Sequence, residues 1–336
     1  MLRTAVACFA VLGVWAVSSA APVPKDAPRL TGVLVLDNCD PKYDGKDEYA
    51  DNLTLLDPAG KQRFRVSGFN NCESIGSSRM VAADPARKCI WTIENVANRL
   101  RRFDLTGRET LCVKDVSGSA VAVDAATGNV WALVGPGQIG KGHIAVFDGD
   151  GKEVATYAVS GWDMVYDPKA KAFWVADTKL TKLDAATGKV LFAVDVSTWC
   201  AASLDVDPVT GCAWVAVRDH PDVRQSKNRL LRFDPDGKEL AAVELGGNGP
   251  RRVSVDRRDG GAWAACSGPL LAKYSADGKR ERALSVDARA VQVDPATGDV
   301  WAVTPEETQR LSPKGEVLKA TKHAGTTSQA WVVALE

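Results

Sequence analysis

Val291-Gln-Val-Asp294-Pro-Ala-Thr-Gly298-Asp-Val-Trp301 reads as a short apolar strand ending in Asp, a turn rich in Pro and Gly, and a second strand that opens on Trp. The phrase recurs as Val81-Ala-Ala-Asp84…Trp91, Val121-Ala-Val-Asp124…Trp131, Val165-Tyr-Asp167…Trp174, Leu204-Asp-Val-Asp207…Trp214 and Val253-Ser-Val-Asp256…Trp263. Successive Asp residues lie 40, 43, 40, 49 and 38 positions apart. A period near 40 made of strands and tight turns marks units that bury their faces only by stacking on one another.

Each unit divides into four strands, a to d from the inside out. In the unit beginning at Arg251 they are residues 251–256, 261–266, 270–274 and 280–286. The c–d link is a second tight turn, as in Asp57-Pro-Ala-Gly60, Asp104-Leu-Thr-Gly107, Asp234-Pro-Asp-Gly237 and Ser312-Pro-Lys-Gly315. Asp caps such turns with its side chain and Gly supplies the positive φ. Asp148-Gly-Asp150-Gly151 brushes against a calcium-loop pattern but lacks the closing Glu, so it too reads as a turn.

The chain offers seven c–d turns but six a–b turns. Its head supplies strands b, c and d (32–36, 52–56, 62–66) with no strand a, and its tail (330–336) looks like a strand a with nothing after it. Pairing tail with head removes the free sheet edges that invite aggregation. The expectation is therefore an all-β, seven-bladed β-propeller closed by the C-terminal strand. A six-bladed ring with a stray hairpin is the alternative. Within strand a, bulky apolar residues alternate with small or polar ones such as Ala82, Ala122, Ser203, Ser254 and Ala290, which lets converging blades approach. The strand-b Trp residues then read as packing between blades.

With that phrase, most clearly at 293–303, the chain from about residue 30 onward resembles the secreted NHL/YVTN-type propeller repeats, and more distantly the gluconolactonase-like propellers. The resemblance implies the propeller fold and, for function, an interaction module, a lyase or a lactonase. A lactonase would hold calcium in an oxygen-rich cage, for which Glu73, Asp163 and Asn248 are the candidates by position; where the third blade should contribute, this chain has Ser119.

Residues 1–20 carry one early Arg, an apolar run and a small-residue end at Ala20, the pattern of a cleaved export signal. Residues 21–29 form a short linker and 30–336 one domain. The expected location is outside the cytoplasm, secreted or periplasmic, with no membrane span. Lys plus Arg equals Asp plus Glu at 42 each, so bulk charge points neither to nucleic acid nor to an anionic membrane. Of eight cysteines, Cys8 lies in the leader. The odd remainder leaves at least one thiol unpaired, and Cys39 with Cys72 is the tentative disulfide.

In such a ring the a–b and c–d turns share one rim and the longer, varied b–c and d–a connections share the other. Binding residues collect on varied loops held by a rigid scaffold. On that rim lie 38–51, 67–78, 218–228 and the Gly-rich 135–142. Five residues before each strand-a Asp, where the strand enters the channel, stand Arg79, Ser119, Trp162, Ala202, Arg251 and Arg289, with Trp331 in the closing strand. Adding the adjacent Asp163 and Arg252 gives a candidate funnel for a small anionic or sugar-acid-like ligand or an acidic peptide end, since guanidinium forks suit carboxylates and phosphates. The bland reading has these arginines paired with neighbouring Asp residues. No nucleophile, zinc or nucleotide motif occurs, and His143, His220 and His323 fall on separate blades. The function expected is a monomeric ligand- or protein-binding scaffold with no evident catalysis and no cofactor; the rival is a calcium-dependent hydrolase or lyase.

Overall fold

The computed structural model describes residues 30–38, 51–57, 59–69, 79–138, 141–222, 225–246, 249–323 and 326–334. Its strands form seven four-stranded antiparallel sheets. Blade 1 joins β28 (Thr326–Ala334) to β1 (Leu30–Asn38), β2 (Asp51–Leu56) and β3 (Gln62–Phe69). Blade 2 is β4 (Val81–Asp84), β5 (Cys89–Glu94), β6 (Arg99–Asp104) and β7 (Glu109–Lys114). Blade 3 is β8 (Gly118–Val123), β9 (Val130–Gln138), β10 (Lys141–Phe147) and β11 (Glu153–Tyr157). Blade 4 is β12 (Asp163–Asp167), β13 (Ala172–Ala176), β14 (Lys179–Asp184) and β15 (Val190–Asp195). Blade 5 is β16 (Cys200–Val206), β17 (Ala213–Arg218), β18 (Arg229–Phe233) and β19 (Glu239–Glu244). Blade 6 is β20 (Pro250–Asp256), β21 (Gly261–Cys266), β22 (Leu270–Tyr274) and β23 (Arg280–Leu284). Blade 7 is β24 (Ala290–Val293), β25 (Val300–Val303), β26 (Glu307–Leu311) and β27 (Val317–Lys322).

The ring closes through its two ends. Val33 faces Val332 and Val35 faces Ala330 across an antiparallel ladder, so the last strand is the innermost strand of the first blade. That strand begins at Thr326, four residues earlier than the sequence pattern indicated. β28 also lies against β24 on one side and β4 on the other, which completes the circle of inner strands. No sheet in the circle is left without a neighbour.

The strand-b Trp residues of blades 2 to 6 are buried against the next blade. Trp174 clusters with Leu204, Val206 and Val215 of blade 5, Trp214 with Val253 and Val255 of blade 6, and Trp263 with Val291 and Val293 of blade 7. Trp131 stacks on Phe173 of blade 4 with centroids 4.1 Å apart. Burying one indole is worth about 4–6 kcal/mol by area, an upper bound because the unfolded chain is not fully extended.

A second repeat escaped the sequence reading. Strand c places a cation directly opposite the Trp: Arg102 opposite Trp91, Lys182 opposite Trp174, Arg232 opposite Trp214, Lys273 opposite Trp263 and Arg310 opposite Trp301. In Arg102, Lys182 and Arg232 the charged head lies over the indole and reaches the next blade's c–d turn, whereas Lys273 bonds Asp256 and Asp259 and Arg310 bonds Asp299 within their own blades. Arg102 donates to the Gly149 carbonyl, Lys182 to that of Pro235 at 3.0 Å and Arg232 to that of Ala276 at 2.9 Å. The turns themselves dock on the preceding blade. Gly237 has φ +87°, and a Cβ there would sit 2.7 Å from the Phe192 ring, so both conformation and contact demand glycine.

Candidate functional site

Inner strands present one unpaired edge to the axis, and their N–H groups need acceptors. Polar residues on the preceding blade supply them. Ser203 Oγ accepts from Val253 N at 3.2 Å, Asp205 Oδ2 from Val255 N at 2.9 Å, and Ser254 Oγ from Val293 N at 3.0 Å. Asp163 Oδ2 accepts from Leu204 N at 2.9 Å in the same way. The small and polar positions of strand a therefore stitch blade to blade.

Asp163 has a further role. Arg79 of blade 2 donates Nε to its Oδ1 at 3.3 Å, and Arg252 of blade 6 donates Nη1 to its Oδ2 at 3.5 Å. Blade 3 separates blades 2 and 4 in the ring, so Arg79 crosses the axial channel to make this contact. Its Nη2 also donates to the Leu204 carbonyl at 2.8 Å and lies 3.9 Å from Asp205. Two guanidinium groups and two carboxylates thus form a charge-balanced cluster around the axis. Asp163 and Arg252 are both buried. Burial pulls the Arg252 guanidinium down to about 10, against the opposing pull of Asp163.

The remaining funnel candidates go elsewhere. Arg251 donates Nη1 to Asp287 at 2.6 Å and to the Ala288 carbonyl, and Nε to Ser267 Oγ at 3.2 Å. Arg289 is exposed, and its backbone N–H pairs with the Val303 carbonyl at 2.6 Å. Trp331 pairs through its backbone with Leu34. Glu73, Asn248, Cys39 and Cys72 lie outside the described residues. Among the described residues no three His, Cys, Asp or Glu side chains are grouped to hold a metal. His220 Nδ1 accepts from Asp222 N at 3.0 Å, and His323 Nε2 meets Thr308 Oγ1 at 2.7 Å. Cys89, Cys112, Cys200, Cys212 and Cys266 are free thiols.

The structure joins other residues that the sequence kept apart. A cleft of about 270 Å³, open to solvent, lies on the varied rim between blades 3 and 4, lined by Ser119, Gly135, Lys141, Gly142, His143 and Trp162. Ser119, near the start of β8, and Trp162, just ahead of β12, occupy equivalent positions in the repeat. The other wall is the β9–β10 hairpin. β9 runs nine residues where β13, β17 and β25 run five, six and four, so this hairpin extends beyond those of blades 4, 5 and 7, and β1 of blade 1 is as long. A register break between Lys141 and His143 is accommodated at Gly135 and Gly142, with φ +149° and +140°. A Cβ on Gly135 would lie 2.7 Å from the Gly142 Cα, so the wall keeps its shape only with bare backbone there.

Together these features define a seven-bladed β-propeller with one rim of self-satisfied turns and one rim carrying a cleft. The fold supports a binding or scaffold module at that coarse level. No family model matches the sequence, and no curated protein matches it. Among solved structures, a chain of Kuenenia stuttgartiensis hydrazine synthase is similar in fold, with a TM-score of 0.63 and 11% identity over 82% of this chain and 90% of that chain. At that identity the likeness shows shared architecture, and propellers host many activities. No helix among the described residues is long and apolar enough to cross a membrane.

Proposed function

We propose that this chain is an exported binding or scaffold module that engages a small ligand or a protein through its varied rim. The contrast between the rims carries the reading. On the turn rim the capping carboxylates are committed to their own backbone: Asp104 accepts from Thr106 N and Arg108 N, and the Thr106 hydroxyl foremost holds its carboxyl down at about 2. On the other rim stand the cleft beside Trp162 and the longer connections. Export rests on the leader-like residues 1–20.

The cluster at the axis bears on the rival reading. Asp163 receives two guanidinium groups and a backbone N–H, so its oxygens face donors that a calcium ion would have to displace. The test is a thermal-shift screen of small organic acids, sugars and divalent ions, followed by hydrogen exchange with any stabilising compound. Saturable stabilisation with protection on the varied rim is expected. Protection confined to the turn rim, or no saturable ligand, would overturn the proposal. Stabilisation by calcium that Glu73→Gln abolishes would transfer it to the metal-dependent enzyme.

A further inference from the structure

From the cleft between blades 3 and 4 we infer a site for a small organic anion, a carboxylate or phosphate carried on a flat or apolar body. The inference rests on the binding-module reading and names the ligand class for one part of that rim. Among the described residues, Lys141 and His143 are the only ionisable ones lining the cleft, and both are basic. An anion there meets positive charge with no lining carboxylate to repel it. The lining also carries a flat apolar face, Trp162, whose side chain is half-buried.

The geometry assigns each part. The backbone under the indole is held, because the Trp162 N–H donates to the Ala176 carbonyl at 2.8 Å while the next residue, Asp163, is locked into the axial cluster. The flat body of a ligand stacks there. Lys141 is exposed on the hairpin, so its ammonium can close over a charged group at the mouth without leaving a buried, unpaired charge behind when the site is empty. Ser119 Oγ bonds the Gly161 carbonyl at only 3.4 Å, long for a hydroxyl, so this group can turn to a ligand oxygen at little cost. Gly135 and Gly142 let the two strands of the hairpin wall approach closely and set its shape. The cleft is shallow and open to solvent, so a ligand lies across it against Trp162 and is not enclosed.

The probes are benzoate and phenyl phosphate, with benzamide as the uncharged control, titrated by calorimetry into the full-length mature chain. Both anions are expected to bind saturably, and benzamide at least about tenfold more weakly, the scale of one hydrogen bond to a charged group. Comparing the two anions decides between carboxylate and phosphate. Lys141→Gln should lower the affinity of the preferred anion by about tenfold or more, and its exposed position keeps the fold intact. Trp162→Phe, which retains a ring, should weaken binding less than Trp162→Ala. Equal binding of benzoate and benzamide, no binding of either anion, or an affinity untouched by Lys141→Gln would overturn the site. If the screen described above still maps a different ligand to the varied rim, only this assignment falls and the wider reading stands.

Discussion

The Arg79 guanidinium reaches past blade 3 to the carboxylate of Asp163 in blade 4, at 3.3 Å. This contact, with Arg252 arriving at the same carboxylate from blade 6, ties together inner strands that are not neighbours in the ring. Removing the shared carboxylate takes a counter-charge from two cations, one of them buried. Asp163→Ala should destabilise the fold by about 3–5 kcal/mol, read from urea unfolding. A loss below about 1 kcal/mol would mean that water already satisfies the guanidinium groups.

Lys182 sits between the Trp174 ring, 4.7 Å from its centroid, and the Asp167 carboxylate at 3.4 Å, with both charged partners buried. Lys182→Ala leaves Asp167 without its cation and should cost about 3–5 kcal/mol. Asp167→Asn in the same background should recover part of that loss. Two mutations whose costs simply add would remove the coupling.

Stability at low pH should depend on Asp256. Burial by itself would raise this carboxyl, but hydrogen bonds and charge from Arg258 and Lys273 more than reverse that and hold it below the usual range. A depressed folded-state pKa contributes stability that is present above the unfolded value, about pH 4, and lost as pH falls through the folded value. Asp256→Asn should therefore lower stability at pH 7 and flatten the decline between about pH 4 and pH 2. Parallel pH profiles for the two proteins would contradict this.

Native thiols should be inert. Burial pushes Cys89, Cys200 and Cys266 up to about 11, so little thiolate exists at pH 8. Iodoacetamide should modify them only after denaturation. The same titration in denaturant without reductant counts the thiols of the mature chain, and finding Cys39 and Cys72 unmodified would support the bridge between them.

Deleting residues 326–336 should open the ring. β1 would lose the β28 ladder and expose a full strand edge, and the turn at Ala59 and Gly60 would remain docked on Lys319 and Thr321 of the preceding blade. A lower melting temperature and self-association by light scattering are expected. A monomer of unchanged stability would contradict closure through the tail.

The strand order, the turn positions and the tail-to-head closure were legible in the sequence because they repeat. Asp…Gly turns and apolar alternation are local requirements imposed once per blade, so periodicity makes them visible. The cation opposite most of the strand-b Trp residues was equally legible, as the phrase basic–apolar–Asp in Arg102-Phe-Asp104, Lys182-Leu-Asp184 and Arg232-Phe-Asp234, yet the purpose of these three depends on the neighbouring blade's turn. What the tertiary structure alone decided is which unique residues meet. Arg79 and Asp163 stand 84 positions apart on blades that do not touch side by side, and the diameter of the ring sets whether one side chain spans it. The rim cleft likewise exists because the long blade-3 hairpin stands beside Trp162 of blade 4, whose own hairpin is short. A repeat encodes what every blade shares, whereas a site arises where blades differ, and only the closed ring brings those differences within reach of one another.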